Sequence, residues 1–325
     1  MIIENSKTYN VNEVEDLFFR PSFCGKSAEE LGIRVLYNMP IPTRIPAFGH
    51  HNNILKGFAS GWHGSAMSEL HETEINMMKL KAENSYSAES YFSSVYEMLV
   101  NSADINLGDL TGTDLEKAET ELFRRSIVES IYATMWFGDE DCQVSDYSGF
   151  TGFLRQIIDI NEKDSYDWVK VEKEDVTTPA NEIFQEVWSQ ANENLRSLAS
   201  DGNLAYFVSS DIYDAYHFWL DSQGLTNVTA DSNNPRPTLL FHGIPVVEIP
   251  VRQYEIYRAN SFCILTDRRN LVLALNTADS PEKEIHMWYN PDEMENRQRV
   301  VFLAGTAVAD KALVSAHIFD GELSF

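Results

Sequence analysis

Between residues 113 and 136 apolar side chains return every three or four positions: Leu115, Ala118 and Leu122, then Ile127, Ile131 and Met135. That spacing places them on one face of an α-helix. Thr113 and Glu116 supply the Ser/Thr-x-x-Glu capping box at its start. Gly138 is placed to stop it. At about 1.5 Å per residue such a helix exceeds roughly 30 Å, enough to run the length of a flat domain. A second helix fits residues 179–198, with Thr178 as cap, Pro179 at the first helical position, and Gly202 at the end. Its apolar face is Ile183, Val187, Ala191, Leu195 and Leu198. A third runs over 211–222 with Ile212, Tyr216, Trp219 and Leu220 inward and Gly224 after it.

Short apolar runs elsewhere predict strands at 204–208, 238–241, 246–249 and 262–265, with others near 271–274, 285–288 and 300–303. The tail from 307 to 318 reads equally as a strand or a short helix. Residues 51–85 hold two extended stretches around a Gly/Ser-rich turn, GFASGWHGSAMS. In the return stretch the alternation slips by one between Met77 and Met78, as at a bulge. A lone two-stranded ribbon is marginal in water, so this one must pack on its own domain or on a neighbouring subunit. Residues 1–50 read as an arm with short elements at 11–19 and 28–36. There Pro40, Pro42 and Pro46 forbid helix and favour extended backbone. The sequence has no repeat, no low-complexity tract and no linker, and reads as one mixed α+β chain with long extensions.

Charge narrows the classes of function. Fifty acidic residues face 25 basic ones among 325, a formal net charge of -25. Gripping nucleic acid over a broad surface takes Lys and Arg to displace counterions. This chain instead repels polyanions, which argues against a repressor, polymerase or packaging motor but not against a container that holds DNA without adhering to it. The three cysteines, Cys24, Cys142 and Cys263, are far apart with no CxxC spacing, and read as small buried hydrophobes of a reducing compartment. The opening residues lack the pattern of a secretory signal, and the longest weakly polar stretch, 300–309, is too short to span a bilayer.

Candidate chemistry is thin. Gly25-Lys26-Ser27 ends a phosphate-loop pattern, but Arg20 stands where the leading glycine belongs and no apolar strand feeds it. His50, His51, His63 and His71 cluster in sequence beside Glu69 and Glu72, without HExxH spacing; a solvated turn suits them better than a metal site. Asp139, Glu140 and Asp141 lack the spaced order of a calcium loop. No catalytic, cofactor-binding or metal-binding residue is assigned from the sequence.

Four segments resemble, in order, the major capsid proteins of tailed bacteriophages with the Hong Kong 97 phage fold. The first is the long helix ending in Phe137-Gly138-Asp139, followed by Phe150-Thr151-Gly152-Phe153-Leu154. The second is ANEIFQEVWSQANENL, then GNLAYFVSSDIYDAYHFWLDSQG: helix, strand, and helix with spaced aromatics. The third is FHGIPVVEIP, similar to the family's G-x-P-V strand. The fourth is FCILTDRRNLVLALN, which resembles its ILT-x-x-NL segment.

The resemblance implies an N-terminal arm at 1–48 and an extended loop at 49–86. It implies a peripheral domain from 87–150 and 281–325 with a spine helix at 113–136, and a mainly axial domain at 151–280. It implies self-assembly through pentamers and hexamers into an icosahedral shell of the virion, built in the host cytoplasm around double-stranded DNA without sequence-specific binding. The expected partners are a portal and scaffolding, decoration or head-fibre proteins, with no membrane, no cofactor and no enzymatic role. Lys56, Lys79 and Lys81 lie where some relatives form an isopeptide crosslink; none is expected here, nor is removal of a pro-segment. An encapsulin-type compartment, which shares the fold, and a soluble cytoplasmic enzyme are the alternative readings.

Overall fold

The computed structural model describes residues 28, 30–38, 43–50, 60, 68–87, 114–141, 148–164, 166–172, 178–224, 239–250, 261–276 and 285–319. The chain begins with strands β1 (Arg34–Tyr37), β2 (Thr43–His50), β3 (Ser68–Ile75) and β4 (Met78–Tyr86). Helix α1 (Asp114–Phe137) and helix α2 (Phe153–Asp159) follow, the latter widening into a π-type turn over Ile160–Asp164. Next come β5 (Val169–Glu172), α3 (Ala180–Gln190), α4 (Glu193–Ser197), β6 (Leu204–Ser209) and α5 (Ser210–Ser222). The remainder is β-structure: β7 (Leu239–Phe241), β8 (Ile244–Ile249), β9 (Ser261–Asp267), β10 (Leu271–Leu275), β11 (His286–Asn290), β12 (Glu295–Val308) and β13 (Val314–Phe319).

Two sheets organise these elements. Six strands form one, in the order β5-β13-β9-β6-β8-β7. Both faces are covered at its centre, so β6 is buried at every position rather than alternately. Along β6, Leu204, Tyr206 and Val208 pack toward α3 and α5, whereas Ala205 and Phe207 pack toward α1 and α2. The other sheet is built on β12. β10 pairs along its C-terminal end, β11 along its N-terminal end, and β4 along its middle from Tyr86↔Asn296 to Met78↔Ala304. β1 adds parallel to β10. The main core lies between the two sheets and α1. Trp136 stands at its centre, with ring centroids 5.4 Å from Phe153, 5.3 Å from Phe207 and 6.3 Å from Phe262. Each large side chain fully buried there contributes about 1.5–3 kcal/mol.

The mixed α+β composition is as the periodicity predicts, and α1 lies within one residue of its expected span at either end. Three details differ. First, the helix read over 179–198 is broken at Ala191, which takes an extended ψ of 136°. Asn192 restarts it by accepting from the Asn194 amide at 3.2 Å. Its start is capped by the Pro179 carbonyl, not by Thr178: that oxygen accepts from the Glu182 and Ile183 amides at 2.9 and 3.2 Å. The apolar face survives the break, with Ile183, Val187, Ala191 and Leu195 all buried. Secondly, the ambiguous tail continues β12 to Val308, makes one 3-10 turn at Lys311–Leu313, and ends in β13. Thirdly, the sheets divide the chain differently from its sequence segments. β10, from the 151–280 stretch, joins the β12 sheet, while β13, from the 281–325 stretch, joins the six-stranded one. Strand partners are set by register between distant segments, which local pattern does not carry. Within the stretch read as an arm, Leu31 and Ile33 are buried in the main core beside β1. The Thr113 cap lies outside the described residues.

Candidate assembly surfaces

The ribbon β2–β3 is antiparallel from Thr43↔Ile75 to His50↔Ser68. It begins inside the Pro-rich stretch, and Pro46 fits because each strand of a two-stranded ribbon is an edge that leaves its outer amides unpaired. Its root is tied to the body. Ile45 and Ile75 pack on Val272, Ala274 and Ala307, and the Thr73 hydroxyl donates to the Ala309 carbonyl at 2.8 Å. Arg44 lies 3.2 Å from Glu72 and 3.8 Å from Glu74, all three exposed. Such pairs add little stability.

The slip expected between Met77 and Met78 appears as a break in strand structure at Asn76 and Met77. Before it the strand pairs with β2; after it the strand pairs with β12. At the break the chain crosses Gly305, where an added Cβ would stand 2.2 Å from the Asn76 carbonyl oxygen. Only glycine admits that approach. Gly305→Ala is therefore expected to cost about 2 kcal/mol by pushing the ribbon root off β12. Chemical denaturation measures the loss, and limited proteolysis near residue 76 should accelerate.

On β4, Lys79 and Lys81 are exposed. The Lys81 ammonium donates to Glu83 at 2.7 Å and holds that carboxyl below its usual range. Lys56 lies outside the described residues.

The β11–β12 hairpin carries exposed apolar side chains, with Met294 68% and Trp288 43% exposed. On one face Met287 packs by α1, its sulfur 3.1 Å from the Thr120 hydroxyl, which also accepts from Gln298 at 2.8 Å. Elsewhere on the hairpin His286, Trp288, Arg299 and Val301 line an open groove of about 320 Å³. At the far end of the six-stranded sheet Leu240, on the terminal strand β7, is 52% exposed, and on α5 Phe218 is 70% exposed. The Tyr216 hydroxyl, donating to the Leu240 carbonyl at 3.1 Å, ties the two elements together. Terminal strands with exposed large apolar groups are surfaces suited to a partner chain.

The glycines of the Phe137-Gly138-Asp139 and Phe150–Leu154 segments have a common physical reason. The Gly138 amide donates to Thr134, and the Gly152 amide donates to the Gly138 carbonyl, both at 2.8 Å. A Cβ on Gly138 would meet the Phe150 carbonyl at 2.1 Å, and one on Gly152 would meet the Gly138 nitrogen at 2.7 Å. Gly138 ends α1 without a left-handed residue, contrary to the usual glycine stop; it is there to let the two segments touch. Gly202 and Gly224, with φ of 73° and 66°, do take the left-handed conformation.

Among the described residues the remaining sequence candidates do not converge. Asp139 accepts from the Asp141 amide at 3.0 Å and Glu140 from the Thr151 amide at 3.3 Å, so this acidic run closes a turn. His50 and His71 fall on opposite strands of the ribbon, His50 against Ser68 and His71 against Ala47. His51, His63, Gly25-Lys26-Ser27, Cys24 and Cys142 lie outside the described residues. Cys263 is buried, and burial pushes its thiol well above the usual range. Among the described residues no group of three or more His, Cys, Asp or Glu is arranged to hold a metal, and no helix is long and apolar enough to cross a membrane.

No family model matches the chain, and no curated protein matches it in sequence. Solved structures do match its fold, phage and particle capsids among them. The capsid of a native GTA particle aligns at a TM-score of 0.56 and 14% identity, over 98% of this chain and 96% of that one. A Gordonia phage Cozz chain aligns at 0.55 and 12%, over 94% and 91%. A Mycobacterium phage Bobi chain aligns at 0.53 and 12%, over 98% and 96%. The chain therefore has the fold of phage capsid proteins, from end to end rather than in one domain.

Proposed function

We propose that this chain is the major capsid protein of a tailed bacteriophage with the Hong Kong 97-type fold. The observation that carries the reading is the likeness to capsid structures over nearly the whole chain. A two-stranded extension rooted on β10 and β12 suits a shell, where it ties a subunit to its neighbour. The layout we assign puts α1 and the β12 sheet in the peripheral domain, and the six-stranded sheet with α3 and α5 in the axial domain. The ribbon is the extended loop, and residues ahead of β1 are the arm. β10 then belongs with the peripheral domain and β13 with the axial one.

In this reading the partners are first of all further copies, as pentamers and hexamers, with a portal and scaffolding, decoration or head-fibre proteins beside them. Exposed Phe218, Leu240, Trp288 and Met294 are covered on assembly. Permanent shells bury interfaces on the order of 2,000–5,000 Å². The charge of -25 keeps packaged DNA mobile inside the virion, because like charges repel. The chain does structural work and no catalysis.

Sedimentation velocity of the purified chain tests this. Capsomers or megadalton particles are the expected result, and in infected cells such particles hold DNA and carry a portal. A small discrete oligomer, or particles filled with cargo enzymes and free of DNA, would contradict it.

A further inference from the structure

The chain passes between the two sheets twice at one place. β9 of the six-stranded sheet runs into β10 of the β12 sheet through the turn Arg268–Asn270, and β12 runs back into β13 through residues 309–313. The two links lie side by side, because the β10–β12 ladder ends at Leu271↔Val308 and the β9–β13 ladder ends at Thr266↔Val314. Between those two pairs no strand ladder holds the links together. Each link opens with the same turn: the Asp267 carboxylate accepts from the Arg269 amide and the Asp310 carboxylate from the Ala312 amide, both at 2.8 Å.

Two buried side chains fill the gap. Thr266 is 0% exposed and Asn270 5%. The Asn270 side-chain amide copies a peptide group: its Nδ2 donates to the Asp310 carbonyl at 2.9 Å, and its Oδ1 accepts from the Asp310 amide at 2.7 Å. The Asn270 backbone carbonyl accepts from the Ala309 amide at 2.9 Å. The Thr266 hydroxyl donates to the Leu313 carbonyl at 2.7 Å and accepts from Asn270 Nδ2 at 3.2 Å. Beside the joint, Gln156 of α2 accepts from the Val308 amide at 3.1 Å and donates to the Thr306 carbonyl at 3.0 Å. All of these bonds are directional. Apolar burial in the core shared by the sheets scales with area and has no preferred direction. A satisfied polar network at low dielectric rigidifies what it joins.

We propose that Thr266 and Asn270 form a clasp that sets the angle between the two sheets, so that the core supplies their cohesion and the clasp their orientation. Shape alone does not serve at either position. Asn270→Asp turns a carboxylate oxygen toward the Asp310 carbonyl and removes the donor that Thr266 accepts from. Thr266→Val leaves the Leu313 carbonyl without its donor in a dry site. A closed symmetric assembly needs copies of one shape, and a fixed angle between the sheets provides it. That consequence rests on the capsid reading; the clasp itself does not, because it is a property of the single chain.

Pulsed electron–electron double resonance on the full-length chain tests the clasp. Spin labels at Ala215→Cys on α5 and Ser85→Cys on β4, both exposed positions, report on the two sheets. Cys24→Ser and Cys142→Ser leave buried Cys263 as the remaining native thiol, and dilution with unlabelled chain removes distances between copies. This parent should give one narrow distance. Asn270→Asp should broaden the distribution at least about twofold, and Thr266→Val should broaden it too and carries the test alone if Asn270→Asp does not fold. Thr266→Ser keeps the hydroxyl and should match the parent. Trp136→Phe loosens the core without touching the joint, and should lower stability while keeping the parent width. A parent-like width in folded Asn270→Asp or Thr266→Val, or equal broadening in Trp136→Phe, would overturn the proposal.

Discussion

Gly138→Ala should destabilise the protein by at least about 3 kcal/mol, a large share of the roughly 5–15 kcal/mol that holds a typical domain folded. The new Cβ would stand 2.1 Å from the Phe150 carbonyl, 2.5 Å from the Thr134 carbonyl and 2.9 Å from the Thr134 methyl. Two of these are backbone atoms, in a helix and in the segment packed against it, so no side chain can swing aside. Relief requires parting α1 from residues 149–152, which also breaks the bond between the Gly152 amide and the Gly138 carbonyl. Gly202→Ala is the matched control. It meets nothing within 4 Å and loses only the ease of a φ of 73°, a cost of about 1 kcal/mol. Urea denaturation of the two variants should show the difference directly. Equal losses would mean that Gly138 acts through backbone freedom and not through contact.

Trp136→Ala should cost about 3–5 kcal/mol. The side chain is fully buried and touches rings from α2, β6 and β9. It is therefore the piece through which the long helix holds both α2 and the six-stranded sheet. The neighbours come from separate elements that cannot all close on the cavity, so relaxation is small and the loss falls toward the upper end of the range. Trp136→Phe should recover part of the stability. The midpoint of thermal unfolding is the readout, and assembly yield should fall with it.

The long helix was legible because its signal is local: Ile127 and Met135, read as inward from spacing alone, are both buried. The same holds for β6 and α5. The break at Ala191 was invisible because the apolar positions keep their spacing through it. The exchange of β10 and β13 between sheets was invisible for another reason, since pairing depends on register with residues 29 to 37 positions away in one case and 48 to 58 in the other. Of the assembly surfaces, the ribbon could be anticipated from the extended stretches around the Gly/Ser-rich turn, although its first strand lies at Thr43–His50, ahead of the 51–85 stretch, and Gly305 could not. Nothing in GTAV distinguishes a glycine that admits a crossing strand from one that merely turns. The Gly138 and Gly152 pair was visible as resemblance before it had a cause; the carbonyl contacts now supply one.

The measurement that bears most directly on the central claim is electron microscopy of the purified, assembled protein. The account predicts closed icosahedral shells of pentamers and hexamers, with each β2–β3 ribbon lying across a neighbouring subunit. Small discrete oligomers with the ribbon folded back on its own subunit would contradict it.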